Sequence, residues 1–397
     1  MKRDKKKVMI LGAAIGQLPI ILKAKELGYK VAVVDYDDKA VGIPHADAFY
    51  HASTIDVDGV VEAAKLYKPD GITTVQTDMP MRAIAAAAQA LSLPGISIDT
   101  ALRATDKVEM MRAFVSHGIS SPWHYTVTAE ERIEDYADRL TFPCVFKPTD
   151  NSGSRGVSLV KNKDQIEPAF LHSKRYSQSG IIMIEEFMEG PEVSVEVLMM
   201  NGTENVLAVT DKLTTGAPHF VEMGHSQQSQ LAEDDVKRIK QLAGDALRAV
   251  GVVNGPGHVE IILTKGGPKM VELGARLGGD FITTDLVPLS TGVDMLAAAI
   301  QIACGEKMEV APIYDKGSAI RFIPASQGTI REINGIAQAK AIEGIVKIEM
   351  LRNAGDTVPL LQSSLDRIGY VIAQAENAQA AIEICEKALD RIEVIVE

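Results

Sequence analysis

Cysteine is scarce: the 397 residues hold three, Cys144, Cys304 and Cys385. So few and so scattered, they exclude a disulfide framework and a zinc site. Long apolar runs are missing too. No stretch of 18 apolar residues is available to cross a bilayer, and no apolar signal core stands near the N-terminus, so a cytoplasmic chain with no membrane partner is expected. Positive charge is in deficit: 41 Lys and Arg against 53 Asp and Glu leave a net charge of −12. A nucleic-acid backbone is therefore not the expected partner, because phosphate chains need a basic face. The one basic run, Lys2 to Lys7, reads as a solvated start before the first strand. Internal repeats and low-complexity segments are absent, and so is the Walker A pattern.

What is present is ordinary globular material. Hydrophobic residues make up 46% and charged residues 24%, and the length allows two or three domains, each with its own core. The first hundred residues alternate strand and helix patterns: Val8–Leu11, Leu18–Leu27, Val31–Asp35, Val60–Tyr67, Gly71–Val75 and Met81–Leu91. That alternation predicts βαβ units and an open parallel sheet, an α/β class with a Rossmann-like domain over 1–100. Gly12 and Gly16 lie in the first strand-to-helix turn and Asp35 ends the second strand. The spacing Gly12-Ala13-Ala14-Ile15-Gly16 is not the G-x-G-x-x-G fingerprint, so small residues for close helix packing are expected here rather than NAD.

Thr105 is expected to cap a helix that runs to His117 and stops at Gly118. Around Pro143 the pattern turns to strands and hairpins: Cys144–Lys147, Val157–Val160, Ile181–Phe187, Glu192–Met200 and Val206–Thr210. A long amphipathic helix, Asp234–Val250, ends at Gly251. Boundaries are expected near 100 and 306, with a small α/β domain over 307–397.

The stretch richest in chemistry is HVEIILTKGGPKMVELGARLGG, His258–Gly279. Two apolar-rich strands flank Lys265-Gly266-Gly267, which reads as a hairpin turn. Centred on Gly266, the hairpin pairs residues whose numbers sum to 532, and Glu260 faces Glu272. Carboxylates directly opposite on a sheet stand roughly 5 Å apart at Cβ and repel. They need a cation, a shared proton or an exit to solvent. Arg276, Gly278 and Gly279 follow, a phosphate-type donor and backbone open to close approach. Two hard oxygen ligands beside phosphate suit Mg²⁺, or Mn²⁺ in its place. The metal is favoured over two glutamates that simply face water. In VFKPTDNSGSRGV, Val145–Val157, Lys147 ends a strand before a loop able to wrap backbone N–H groups around phosphates, or to serve as a plain hairpin loop.

In this order and spacing, from Lys107 to Arg276, the segments resemble the ATP-grasp superfamily. The resemblance implies an ATP-grasp fold over 101–306, preceded by the Rossmann-like domain. It also implies roles. Lys107, Lys147 and Lys212 would contact nucleotide phosphates. The loop Asn151–Gly156, with Ser152, Gly153, Ser154 and Gly156, would be the phosphate flap. Glu185, Glu186 and Phe187 would read adenine, and Glu192 would hold the ribose hydroxyls. Glu260 and Glu272 would be the magnesium ligands, and Arg276 would act with Lys147 in catalysis. One departure stands out: the usual Glu-x-Asn-x-Arg is here Glu272-Leu273-Gly274-Ala275-Arg276, which removes a metal-ligating amide.

Within the superfamily, Phe220–Ser229 with Gly257-His258 and Arg276–Gly279 is most similar to the L-amino-acid ligase group, although Gln228 stands where that group has proline. His225, His258, Arg276 and Gly278 would then line the substrate site. The implied reaction is ATP-dependent joining of a small-molecule carboxylate to an amine through an acyl phosphate, releasing ADP and phosphate, in an enzyme that relatives suggest is a homodimer. Two alternatives stay open: a purine-pathway ligase of the glycinamide ribonucleotide synthetase type, and a nucleotide-binding sensor or scaffold without turnover.

Overall fold

A computed structural model describes residues 5–128, 130–150, 156–216 and 220–397. The N-terminal part alternates β1 (Lys7–Leu11), α1 (Leu18–Glu26), β2 (Lys30–Asp35), β3 (Ala48–His51), α2 (Val57–Tyr67), β4 (Gly71–Thr73) and α3 (Met81–Leu91). The strands form a parallel sheet in the order β3-β2-β1-β4. The central strands β1 and β2 are apolar along Val8–Leu11 and Val31–Val34 because both faces there are covered. Met9, Leu11, Ala32 and Val34 pack against Val60, Ala64 and Ile84 of α2 and α3, while Val8, Ile10, Val31 and Val33 pack against Ile20, Ile21 and Ala24 of α1. Neighbouring residues thus serve opposite faces, as strand geometry requires.

Two short helices follow, α4 (Ile98–Thr105) and α5 (Lys107–Ser116). The expected single helix capped by Thr105 is corrected here. Asp106 caps α5, its Oδ1 accepting from the backbone N–H of Val108 at 3.0 Å and Glu109 at 3.2 Å. The Thr105 hydroxyl is instead bonded to the Ala101 carbonyl and Arg82. A carboxylate at the N-cap satisfies two otherwise unpaired amides and favours the helix dipole.

A small antiparallel sheet, order β5-β8-β6-β7, is formed by β5 (His124–Thr128), β6 (Cys144–Pro148), β7 (Ser158–Val160) and β8 (Ile181–Glu186), with α6 (Ile166–Tyr176) packed on it. The central sheet is larger. It begins with β9 (Glu192–Met200), β10 (Thr203–Thr214), β11 (Glu222–Gln227), β12 (Gly255–Thr264) and β13 (Gly267–Gly274), with α7 (Glu233–Val250) between β11 and β12. Behind them α8 (Val287–Thr291) and α9 (Met295–Ala303) are buried in the core. Next come β14 (Gly317–Phe322), β15 (Gly328–Asn334), α10 (Ile336–Lys340), β16 (Ile345–Met350), β17 (Thr357–Val358), β18 (Gly369–Ala375), α11 (Ala378–Leu389) and β19 (Glu393–Val396).

Eight strands make the central sheet, in the order β13-β12-β9-β10-β11-β14-β18-β16. It therefore runs past position 306: β11 pairs with β14 through Gly224↔Arg321 and His225↔Ile320. The remaining strands form a three-stranded sheet, β17-β15-β19. Among the described residues no single helix is long and apolar enough to cross a membrane.

Helix α7 fixes one face of the central sheet. Ile239, Leu242, Ala243, Ala246, Leu247 and Val250 recur at helical spacing and are buried, against Val193, Val195, Val197, Val259 and Ile261 of the sheet. Each such side chain contributes about 1.5–3 kcal/mol by leaving water. Gly257 makes the contact possible, since a Cβ there would stand 2.6 Å from Leu247. With the odd-numbered residues of β9 and β12 committed to α7, the even-numbered ones must point to the opposite face. That face carries the site.

Candidate active site

The even-numbered residues of β9 include Glu192, Ser194 and Glu196, and those of β12 include His258 and Glu260. In register, His258 lies opposite Glu196 and Glu260 opposite Ser194. Glu260 also faces Glu272 on β13, as the sequence predicts. The register at the turn differs from the expectation. The turn is centred between Lys265 and Gly266, pairing Thr264 with Gly267, and a bulge after Glu260 moves the register by one. Beyond the bulge the pairs sum to 532 again, so the two glutamates meet although the hairpin is not centred on Gly266.

Three lysines converge on these carboxylates. Lys107, the first residue of α5, reaches Glu272 Oε2 at 2.7 Å. Lys147 on β6 holds Glu185 Oε1 at 2.5 Å, both nearly buried. Lys212 on β10, with 4% of its side chain exposed, lies 2.6 Å from Glu192 and 3.1 Å from Glu260. The charge states follow from this crowding. Glu272 titrates below its ordinary value because Lys107 beside it outweighs burial. Burial opposes the charge on Glu260, yet Lys212 and His258 hold it well below the usual range. Glu192 is raised, by burial first, with Glu260 adding to it even as Lys212 opposes. Lys212 is itself raised: burial works against its charge, and Glu260 and Glu192 prevail. The pattern is of cations and anions kept ionised by one another in a site of restricted solvent.

Histidine 258 sits inside the same network. Its Nδ1 is 2.6 Å from Glu196 Oε1 and its Nε2 is 3.3 Å from Glu260 Oε1. Burial would lower its pKa, but Glu196 carries it up to about 9. Both ring nitrogens are thus occupied by carboxylates, and the imidazolium braces Glu260. Gly278 is pressed against the pair: a Cβ there would lie 2.7 Å from His258 Nδ1 and 2.9 Å from Glu196 Oε2. Arg276, 14% exposed, is gripped by Asp78, Nε to Oδ1 at 2.9 Å and Nη2 to Oδ2 at 2.8 Å. Asp78 follows β4, so the N-terminal sheet delivers a residue into the site.

On the other side, His225 Nε2 is 3.4 Å from Asp280 Oδ2, and Arg367 binds Asp280 through two nitrogens, each at 2.7 Å. Burial would raise the Asp280 pKa, but Arg367 and His225 hold it far below the ordinary carboxylate range. Glu186 pairs with Lys269, and the Phe187 amide donates to the Pro143 carbonyl. Gly156, at φ 78°, is wedged beside Tyr176 and Pro148, and its carbonyl accepts from the Ser173 hydroxyl at 2.7 Å. Ser152, Gly153 and Ser154 lie outside the described residues. The Gly12 turn is closed by its own chain: both Asp35 oxygens accept backbone N–H groups, from Ala13 at 2.7 Å and Asp37 at 3.0 Å.

Among the described residues no group of three or more His, Cys, Asp or Glu side chains could cage a metal. The donor set is two facing carboxylates beside phosphate-type cations. That fits Mg²⁺ or Mn²⁺ shared with a nucleotide, since such ions take one or two protein carboxylates and complete their shell with phosphate and water. Glu185 Oε2 and Glu196 Oε2 are buried with no hydrogen-bond partner, so the site has acceptor capacity left to fill.

Sequence reasoning missed Glu196, Lys269, Asp280, Arg367 and Asp78. The strict alternation Glu192-Val193-Ser194-Val195-Glu196 would have revealed Glu196. Lys269 and Asp280 lie in or just after the His258–Gly279 stretch, where nothing in their spacing marks them, while Asp78 and Arg367 reach the site from distant segments.

Comparison with known proteins agrees with this geometry. A family model described as an ATP-grasp domain matches residues 140–285, and one described as L-amino acid ligase C-terminal domain 2 matches 321–397. Alanine–anticapsin ligase of Bacillus subtilis is 27% identical over 309 residues, which is 70% of this chain and 65% of that protein. The chain spans 63 to 65% of the length of the first such curated relatives. The crystal structure of L-amino acid ligase from Bacillus licheniformis superposes with a TM-score of 0.86 at 23% identity, covering all of both chains. Phosphoribosylglycinamide synthetase from Anaerococcus prevotii gives 0.81 at 23%, covering 99% of this chain and 100% of that one. At such identities the likeness establishes the ATP-grasp fold.

Proposed function

We propose that this chain, which carries an ATP-grasp domain followed by an L-amino acid ligase C-terminal domain, is an ATP-dependent ligase that joins one amino acid's carboxylate to another's amine. The observation that carries the reading is the Glu260–Glu272 pair, each member tied to a lysine, with Arg276 at the end of the same strand. A carboxylate oxygen attacks the γ-phosphorus and ADP leaves. The amine nitrogen then attacks the acyl carbon, and phosphate departs with that oxygen while the amine loses a proton. Bound magnesium would neutralise phosphate charge between Glu260 and Glu272.

The protein's own groups do the rest. Lys107, Lys147 and Lys212 exchange their carboxylate partners for phosphate oxygens and so spread charge on the transferring group. Glu185 to Phe187 and Glu192 hold the nucleoside. Arg276 steadies the acyl phosphate and the oxyanion formed when the amine attacks. His225 sits on the amine side, and His258 keeps Glu260 in place. The cleft must exclude water, which would otherwise hydrolyse the intermediate. Residues 1–100, 101–306 and 307–397 act as three units around one cleft, within a homodimer in the cytoplasm. The L-amino acid ligase C-terminal match and the alanine–anticapsin ligase relative support the amino-acid substrate class.

The test is to supply ATP, Mg²⁺ and pairs from an amino-acid panel, one member labelled with ¹⁸O in its carboxyl group. One label should appear in inorganic phosphate, with ADP as the nucleotide product. Label in AMP would establish adenylation instead. Amide product accompanied by unlabelled phosphate would rule out the acyl-phosphate route. No amino-acid-dependent turnover above background would leave the sensor reading.

A further inference from the structure

Gly274 lies between Glu272 and Arg276, where the Glu-x-Asn-x-Arg pattern has an amide, and the space of that missing side chain is occupied. A Cβ built on Gly274 would stand 2.6 Å from Asp78 Oδ1, 3.0 Å from Arg276 Nε and 3.2 Å from Arg276 Cζ. Real Cβ atoms do not approach another atom to 2.6 Å, so any side chain at 274 must displace the Asp78–Arg276 pair.

The pair is held firmly from the other side as well. The loop carrying Asp78 is joined to the segment after β13 by a parallel bridge, Val75↔Leu277, and by the Gln76 N–H donating to the Leu277 carbonyl at 3.3 Å. Gln76 takes φ 66°, a left-handed conformation that costs a non-glycine residue about 1 kcal/mol and persists where surroundings enforce it. The Asp78 grip is side-on and bidentate, the geometry that fixes a guanidinium plane. Among the described residues, Asp78 takes two of the five N–H groups of Arg276 and the Leu277 carbonyl a third. Two remain for a ligand. Without Asp78 the guanidinium would feel Glu260 and Glu196, both within its electrostatic reach, and would be drawn toward the metal side.

We propose that Asp78 is the positioning residue of Arg276, and that position 274 is glycine because Asp78 fills its side-chain space. The N-terminal segment thereby fills the side-chain space that β13 leaves open at Gly274. The inference rests on the ligase reading for what Arg276 touches, but not for how Arg276 is held.

The experiment is a double-mutant cycle in the full-length protein. Asp78→Ala should lower kcat about a hundredfold, the scale of an ångström's misplacement, with the KM for ATP little changed. Asp78→Asn, of the same shape with one acceptor kept, should lose less, and it serves if the alanine variant does not fold. Gly274→Asn should be at least as damaged as Asp78→Ala, and adding Asp78→Ala to it should restore activity above the Gly274→Asn single variant. A wild-type kcat in folded Asp78→Ala, or a double variant no better than Gly274→Asn, overturns the proposal. A readout independent of turnover separates it from the ligase reading. With ¹⁵N-labelled arginine, the Arg276 Nε–H signal should exchange slowly in the wild type and quickly in Asp78→Ala and in Gly274→Asn. Slow exchange in Asp78→Ala would overturn the positioning role even in an active ligase. The predicted exchange pattern in a protein with no turnover would sustain it while sinking the ligase reading.

Discussion

Two clusters of buried charge meet where Lys212 pairs with His225 in register, and they are built on opposite principles. In the central cluster the lysines meet their carboxylates through one oxygen at a time: Lys107 on Glu272, Lys147 on Glu185, Lys212 on both Glu192 and Glu260. Carboxylate oxygens are left over, and Glu185 Oε2 is buried with no partner at all. At the other cluster Arg367 closes on Asp280 through two nitrogens, lies flat 3.6 Å over the Phe322 ring and bonds the Glu222 and Ser364 carbonyls. One arrangement can trade partners with an incoming phosphate or metal. The Arg367–Asp280 pair is fully bonded, although His225 Nδ1 beside it has no hydrogen-bond partner among the described residues, and it fastens the segment before β18 to β11. Burying a charge pair costs several kcal/mol of solvation in either case, and only full hydrogen bonding offsets it. Carboxylates with unfilled oxygens are therefore open to a ligand, and a bidentate guanidinium–carboxylate pair is a fastener.

The comparison breaks most sharply at Glu272. Glu272→Gln keeps the shape and removes one of two convergent charges, so turnover should fall at least about a thousandfold while thermal unfolding stays cooperative. Wild-type-like activity in the folded variant would take the metal away from this pair.

Arg367 should show the reverse profile. Arg367→Ala leaves the Asp280 carboxylate buried with only His225 beside it, and should cost about 3–5 kcal/mol of stability in denaturant unfolding. The pH dependence has a definite sign. Asp280 is depressed in the folded state, so its contribution is fully present above the unfolded carboxylate value near 3.8 and declines as pH falls below it. The stability gap between wild type and Asp280→Asn should hold steady down to about pH 5 and narrow in more acid solution. A gap that widens on acidification would contradict the assignment.

The smallest expected effect is the most discriminating for nucleotide binding. Lys147→Ala should weaken ATP about ten- to a hundredfold, the worth of a hydrogen bond to a charged group, and adenosine much less. Equal losses for both ligands in calorimetry would make the Lys147–Glu185 pair a fastener like Arg367–Asp280.

Much of this protein can be read from local patterns because strands alternate and hairpins count. The period-two run in β9 and β12 puts Val193, Val195, Val259 and Ile261 under α7 and sends Glu192, Glu196, His258 and Glu260 to the opposite face. The glycine turn is enough to set Glu260 across from Glu272, because a bulge in β13 cancels the one-residue error in its centre. The helix cap was harder to read: Thr105 and Asp106 are both good capping residues, and only the break between α4 and α5 selects the aspartate.

What the chain determines by itself is which residues share a strand face, since that depends on neighbours two positions apart. What the tertiary structure alone decides is which distant charge meets which. Asp78 reaches Arg276 because a parallel bridge sets the N-terminal sheet against the end of β13, and Arg367 reaches Asp280 because β14 and β18 extend the central sheet. No periodicity encodes such meetings. They depend on long-range packing, where burial makes an unpaired charge costly and so leaves each one the partner that the fold brings to it.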